Sequence, residues 1–168
     1  MADWAARADA LHATLADRFW SPTLRLHKLA PERPLWPCGT WNYWWQAHVL
    51  GAVLYRADRT GAAADRRRAE AVLGGIRRRG LGRLTNGFYD DMAWLALELL
   101  RMQPARRTDL ERLVRAIEGG ASSANPVCGG GVAWARKHRD FVNVPATGTA
   151  AALALRWGTA TGNDRLVG

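Results

Sequence analysis

Apolar residues recur every three or four positions along most of the chain, a spacing that predicts α-helices. The first predicted helix covers residues 4–19. Thr108 or Asp109 is expected to cap the fifth helix, because short oxygen-bearing side chains bind the free N–H groups at a helix start. The other predicted helices cover residues 44–55, about 63–79, 90–102, about 108–118 and about 145–160.

The order of these helices predicts the class of fold. No segment alternates regularly between apolar and polar residues, so we predict an all-α protein. The second, fourth and sixth helices are apolar on nearly every face, whereas the first, third and fifth are amphipathic and charged. This alternation is typical of helical hairpins arranged around a ring, an (α/α) toroid with the apolar helices inside. The long loops that enter the inner helices are then expected to gather at one end of the ring and form a site.

Length and composition indicate the number of domains and the location. The chain has 168 residues, 48% of them hydrophobic, and we predict a single domain over residues 1–168. No basic stretch followed by an apolar one opens the chain, so no secretory signal is visible and a cytoplasmic location is expected. No run of about eighteen apolar residues occurs, so no membrane partner is expected.

Charge and cysteine content limit the partners and cofactors to expect. The formal net charge is +9, with arginine runs at residues 66–68 and 77–79, and such a balance permits nucleic-acid binding. Both runs fall on the third predicted helix, so a solvated helix face is the better interpretation. Cys38 and Cys128 lack the spacing of a metal site, and the sequence leaves open whether they pair. No metal or other cofactor is expected.

Two adjacent carboxylates, Asp90 and Asp91, open the apolar fourth helix beside several aromatic residues. An aspartate at this position is most often a helix cap. A carboxylate pair flanked by aromatic rings is also how glycoside hydrolases supply a nucleophile and a proton donor. A retaining glycosidase needs the two carboxyls about 5–5.5 Å apart, a separation that adjacent residues can reach if Asp90 is in cap geometry and Asp91 has entered the helix. The chain also has nine tryptophans, whose flat rings suit either a core or a sugar-binding groove.

Three segments, taken in order, resemble glycoside hydrolase family 76, the endo-α-1,6-mannanases and their bacterial relatives. The first is the aromatic-rich residues 41–48, and the second is residues 85–94 around the aspartate pair. The third combines the glycine-rich loop at residues 128–134 with residues 139–143. The resemblance extends from about Trp4 to Asn163. It covers about three of the six helical hairpins of that family, so the chain corresponds to the N-terminal half: a fragment, a truncated reading frame or a degenerate copy.

The resemblance implies retaining hydrolysis of α-1,6-mannosidic linkages, with α-mannan or a mannose-containing oligosaccharide as partner and no cofactor. It makes Asp90 the nucleophile and Asp91 the acid/base. Val142 and Thr147 stand where the family carries polar lysine and asparagine residues. The residues that it implies for substrate binding are Asn86, Tyr89, Trp134, Asn143, Gly129 and Gly130.

Two other functions stay open at this point. An inactive remnant or carbohydrate-binding module is favoured by the missing half of the ring and by Val142 and Thr147. A basic helical nucleic-acid-binding protein is favoured only by the charge. With half the ring absent, one flank is expected to expose apolar surface, so self-association of the chain is a further expectation.

Overall fold

We describe the fold from a computed structural model of the chain, which covers residues 3–32, 41–102, 104–123, 129–163 and 165. Cys38 and Cys128 lie outside these residues. The chain forms two compact units, residues 1–82 and 83–168. Within the described residues, none of the helices has the length and apolar character needed to cross a membrane.

The core of the first unit lies between two long helices. Helices α2 (Tyr43–Thr60) and α3 (Ala63–Arg79) pack against each other, as their predicted apolar faces require. Gly61 follows α2 with a φ of 70°, a left-handed conformation that glycine adopts without strain and that ends the helix. The fully buried side chains between the helices recur at helical spacing and are Leu50, Val53, Leu54, Val72, Leu73 and Ile76.

The N-terminal segment of the first unit is less regular than predicted. Helix α1 (Trp4–Thr14) continues as a π-helical turn (Leu15–Phe19), so the hydrogen-bond pattern changes inside the predicted helix. Two short antiparallel strands follow, β1 (Trp20–Ser21) and β2 (Leu26–His27). The carbonyl of Arg25 lies so close to α3 that only a glycine fits opposite it, at Gly75.

Charged side chains connect α1 to the other helices of the first unit. Nε of Arg56 on α2 lies 3.0 Å from Oδ1 of Asp9 on α1, and its Nη1 lies 2.5 Å from Oδ2 of Asp65 on α3. Nε2 of His12 lies 3.4 Å from Oδ1 of Asp65. Helix α1 has no buried residue, and these ion pairs link it to α2 and α3.

The second unit is built around one central helix. Helix α4 (Tyr89–Leu100) packs against both α5 (Arg107–Glu118) and α6 (Val144–Thr161). Helix α5 starts without a side-chain cap bond, and Thr108 and Asp109 lie inside its first turn, so the predicted cap is wrong. The core of this unit includes Met92, Leu95, Leu99, Leu110, Leu113 and Leu153.

A three-stranded antiparallel sheet stands where the sequence predicted a glycine-rich loop. Its strands are β3 (Ala121–Ser122), β4 (Gly131–Ala135) and β5 (His138–Val142), in that spatial order. The hydroxyl of Thr147 on α6 accepts a 3.0 Å hydrogen bond from the N–H of Val132 and lies 3.4 Å from its carbonyl oxygen. The predicted loop is therefore wrong from residue 131 onward, and the hairpin is attached to α6.

Candidate active site

Both aspartates of the pair lie in the first turn of α4. Phe88 is the N-cap residue, with an extended backbone and no side-chain cap bond, and Tyr89, Asp90 and Asp91 are the first three helical residues. The expectation that Asp90 keeps cap geometry is therefore wrong. The positive end of the helix dipole favours carboxylates at these positions. Oδ1 of Asp90 also accepts the N–H of Asp91 at 2.9 Å, which orients the first carboxylate.

Asn86 links the turn before α4 to the second carboxylate. Its side-chain oxygen accepts the N–H of Phe88 at 2.9 Å, and its Nδ2 donates to Oδ2 of Asp91 at 2.7 Å. One amide thus satisfies a free N–H at the helix start and positions the Asp91 carboxylate. The bond to Asp91 goes beyond what capping the helix requires, because the cap is already made by the bond to Phe88.

The two carboxylates have different environments. Asp91 is 8% exposed, and burial raises its pKa to about 6, helped by the negative charge of Asp90 and opposed by the hydrogen bond from Asn86. Burial also raises the pKa of Asp90. Hydrogen bonds from the N–H of Asp91 and from the side chain of Trp134 oppose that rise by stabilising the ionised form. Asp91 therefore keeps its proton to a higher pH than an ordinary aspartate, up to about pH 6.

An aromatic cluster lies beside Asp90. The ring of Trp134 on β4 is 5.1 Å from that of Phe88, 5.8 Å from that of His138 and 6.0 Å from that of Phe141, measured between centroids. Phe88 is 39% exposed and Phe141 is 53% exposed, so the cluster presents flat apolar faces to solvent. Such faces suit the C–H faces of a sugar ring.

The β4–β5 hairpin holds the segment that precedes α4. Phe88 forms an isolated antiparallel bridge with Ala135. The N–H of Arg136 donates to the carbonyl of Gly87 at 2.8 Å, and its Nε donates to the carbonyl of Asn86 at 3.0 Å. The segments that precede α4 and α6 thus meet in the second unit, as expected for loops that build a common site.

Tyr89, the first residue of α4, packs inside the protein. It is 2% exposed, and its ring lies so close to Gly120 that a Cβ there would be 2.8 Å from three ring atoms. Its hydroxyl accepts a 3.2 Å hydrogen bond from Nη1 of Arg139. The resemblance implied a substrate contact for Tyr89, whereas the structure gives its ring packing contacts inside the protein.

The remaining residues implied for substrate binding lie around the hairpin. Asn143 is the N-cap of α6, where its side-chain oxygen accepts the N–H of Ala146 at 3.0 Å. A Cβ on Gly130 would lie 2.9 Å from the backbone oxygen of Ser122, so strand pairing already explains this glycine. Gly129 is exposed and has a φ of 75°.

The structure brings Asp90, Asp91 and Trp134 together, as the sequence predicts, and adds two residues that the sequence did not indicate, Arg136 and Arg139. The sequence around Arg136 and Arg139 does not indicate this positioning role, because Arg136 binds a backbone carbonyl and Arg139 binds the hydroxyl of Tyr89. In the part of the chain that the structure describes, no three His, Cys, Asp or Glu side chains are grouped to hold a metal ion. The positive features of the arrangement are two carboxylates in different environments, Asp90 and Asp91, beside an aromatic surface.

Solved structures match nearly the whole chain. No protein-family model matches the sequence, and no curated protein sequence matches it. An α-1,6-mannanase of glycoside hydrolase family 76 from a Salegentibacter species is 25% identical, with a TM-score of 0.88 over 98% of this chain and 48% of that one. A protein from Listeria innocua is 24% identical, with a TM-score of 0.85 over 99% of this chain and 49% of that one.

A second structure of the Salegentibacter enzyme adds a ligand. It is an inactive variant, with two consecutive aspartates replaced by alanine, in complex with α-1,6-mannotetrose, and it is 24% identical to this chain with a TM-score of 0.88. This chain spans about half the length of the structures it matches. The fold is that of a helical-toroid glycoside hydrolase, which confirms the predicted all-α, partial (α/α) toroid class. The resemblance to half of a family 76 protein is likewise confirmed.

Proposed function

We propose that the second unit carries a retaining glycosidase site for α-1,6-linked mannose, with Asp90 as nucleophile and Asp91 as acid/base. The observation that carries this proposal is the difference between the two carboxylates. Burial raises the pKa of Asp91 to about 6; burial also raises the pKa of Asp90, but hydrogen bonds from the N–H of Asp91 and from Trp134 oppose that rise. A match to an α-1,6-mannanase whose inactive variant has two consecutive aspartates replaced supports an adjacent aspartate pair as the reacting groups.

The proposed mechanism has two steps, and each step transfers one proton and exchanges one bond at the anomeric carbon. Protonated Asp91 gives its proton to the glycosidic oxygen while an oxygen of ionised Asp90 attacks the anomeric carbon, so the C–O bond breaks and a glycosyl ester forms. Asp91, now ionised, takes a proton from water, whose oxygen attacks the anomeric carbon and releases Asp90. Asn86 favours the ionised form of Asp91 that the second step needs, and Trp134 stabilises ionised Asp90.

A test of this proposal uses binding and hydrolysis together. Quenching of tryptophan fluorescence by α-1,6-mannotriose should reveal binding, and Trp134→Ala should weaken that binding at least tenfold if the aromatic surface contacts sugar. Release of mannose or mannobiose from mannotriose measures hydrolysis, for which the turnover of ordinary enzymes, about 1–1000 per second, is the reference.

Carboxylate variants distinguish catalysis from contamination. Asp90→Asn and Asp91→Asn should each abolish any hydrolysis while keeping the binding of mannotriose. Asp17→Asn, a change to an exposed aspartate of the first unit, is the matched control and should leave both unchanged. Hydrolysis that persists in both site variants would overturn the catalytic assignment, and absence of binding would overturn the site itself.

A sugar-binding module without hydrolysis is the second candidate. Thr147, which stands where the family carries a polar asparagine, uses its hydroxyl to hold the backbone of Val132. That hydroxyl is therefore engaged by β4. Binding of mannotriose with no product released, even over long incubation, is the outcome that selects this candidate over the enzyme.

A further inference from the structure

The second unit has an open groove between α5 and α6, which we call the α5–α6 groove. Its volume is about 580 Å³, and the start of β4 also lines it. Apolar side chains supply most of the lining, and they include Val114, Ile117, Ala150, Ala151, Leu153 and Ala154. Apolar surface that faces solvent in this way is typical of a site that binds another molecule.

Helix α1 of the first unit has a solvent-exposed face with large apolar side chains. Trp4 and Leu11 are both 72% exposed, and a spacing of seven residues places them on one side of a helix. Arg7 and Ala8 lie between them on that side and are also exposed. The ion pairs that attach α1 to α2 and α3 use other residues of the helix. We call the surface formed by these four residues the α1 face.

The α1 face has the spacing of a helix that binds in a groove. When an amphipathic helix lies in an apolar groove, its contact residues follow the positions i, i+3, i+4 and i+7, which here are residues 4, 7, 8 and 11. The α6 side of the α5–α6 groove includes the alanines at positions 150, 151 and 154. Because alanine is small, side chains as large as Trp4 and Leu11 have room beside α6. The shapes of the two surfaces are therefore complementary.

Charge favours the same pairing. Among the described residues that line the α5–α6 groove, Glu118 is the one with a charged side chain, and it is the last residue of α5. Arg7 is the charged residue of the α1 face. Binding of the α1 face in the groove brings this acidic and this basic side chain to one apolar contact. Such an arrangement selects the correct partner and the correct orientation.

We propose that the α1 face of one copy of this chain binds in the α5–α6 groove of a second copy, and that a closed dimer contains this contact twice. The lengths of the matched structures favour a second copy. This chain covers 48% of the matched mannanase, so two copies supply about as much helical chain as one such toroid. A contact between two different surfaces ends at two copies when each copy uses both of them. The inference does not depend on the proposed glycosidase activity.

The groove borders the strand that carries Trp134. Val132 and Thr147 both line the groove, and the hydrogen bond between them holds β4 on α6. Trp134, two residues further along β4, bonds to Asp90. A second copy in the groove therefore covers the bond that fixes this strand.

The mass of the whole chain in solution tests the inference. At about 0.15 M salt, repulsion between chains of net charge +9 is largely screened. Light scattering at micromolar concentration under these conditions should give twice the 18.5 kDa of a single chain. A monomer at every concentration overturns the inference. So does an assembly that keeps growing beyond two chains.

Exposed leucines supply a matched pair of variants. Leu11→Gln should raise the dissociation constant of the dimer at least about tenfold, because an apolar side chain is lost from both contacts. Leu81→Gln changes a leucine that is 92% exposed and lies outside both surfaces, so it should leave the constant unchanged. Circular dichroism should show the same helix content in both variants. Equal dissociation constants for the two variants overturn the inference.

Charge reversal tests the orientation of the contact. Arg7→Glu and Glu118→Arg should each weaken the dimer several-fold, because each places like charges opposite each other. The double variant restores a pair of opposite charges and should recover most of the lost affinity. Single variants that bind as tightly as the native chain overturn the inference, and so does a double variant that recovers nothing.

Discussion

Nδ2 of Asn86 donates a 2.7 Å hydrogen bond to Oδ2 of Asp91. The orientation of this amide is fixed by its other end, because its oxygen accepts the N–H of Phe88. Asn86 therefore cannot rotate to offer its oxygen to the carboxylate without losing the bond at the helix start. The pKa of Asp91 therefore depends on Asn86, a residue outside helix α4.

Asn86→Ala should raise the pKa of Asp91 above about 6. The bond from Asn86 favours the ionised carboxylate, so its removal favours the protonated form, by roughly one pKa unit. A carboxyl-carbon NMR titration of the folded protein measures this value directly. Asn163→Ala, at an exposed position after α6, serves as the control. A pKa that falls or stays constant in Asn86→Ala would contradict the assignment.

Folding stability should decrease between about pH 4 and pH 6 because of Asp91. Its pKa is raised from 3.8 to about 6 in the folded state, so the folded chain binds more protons than the unfolded chain in this range. Stability is then highest below the unfolded value and falls as the pH rises through the folded value. The loss is about 2–3 kcal/mol from this group.

Asp91→Asn isolates that contribution from the other titrating groups. The difference in unfolding free energy between the variant and the native sequence should grow as the pH rises from 4 to 7, in favour of the variant. Urea denaturation at several pH values measures it. A difference that does not change with pH would show that Asp91 titrates normally.

Replacing each of two adjacent glycines of α3 by alanine should change the stability of the protein in opposite directions. A Cβ on Gly75 would lie 2.3 Å from the carbonyl oxygen of Arg25, so Gly75→Ala must displace backbone and should cost about 1–3 kcal/mol. A Cβ on Gly74 meets nothing within 4 Å. Gly74→Ala should therefore stabilise the helix by about 0.5–1 kcal/mol. Thermal unfolding of the two variants checks the pair, and equal effects would contradict the observed approach of Arg25.

Thr147→Val should loosen the hairpin. The substitution keeps the side-chain shape but leaves the N–H of Val132 without the hydroxyl that now accepts it, at a cost of about 1–3 kcal/mol. Thr159→Val is the control, because that hydroxyl bonds an exposed carbonyl of its own helix. Faster amide exchange at Val132 in the first variant alone is the expected result. Unchanged exchange would mean that strand pairing suffices to hold β4.

The helices could be predicted because the buried residues of each helix recur every three or four positions along the sequence. The predicted span of α3 agrees with the observed one, and the Asp90–Asp91 pair was placed at the start of α4. The hairpin could not be predicted, since β4 is buried at three of its five positions without alternation. Its partners also come from distant parts of the chain: Thr147 on α6 and the carbonyl of Gly120, which accepts the N–H of Ala133.

Side-chain roles were harder to predict than positions. The family resemblance implies a substrate contact for Tyr89, whereas its ring is buried and packs against Gly120. The side chain of an aromatic residue in the first turn of a helix can point into the protein or towards solvent, and the segments packed beside the helix determine which. The position of Trp134 against Asp90 was likewise fixed by strand pairing, which the sequence pattern does not show.

The attachment of the hairpin to the α4 segment has a consequence for protein engineering. Two of its contacts, the bridge at Ala135 and the bond from the N–H of Arg136, are made by main-chain atoms, so they survive most changes of side chain. Position 137, which lies in the turn between the two strands, can then be exchanged without displacing the segment that precedes the aspartates. A library confined to that position would vary the surface beside the aspartates on a constant backbone.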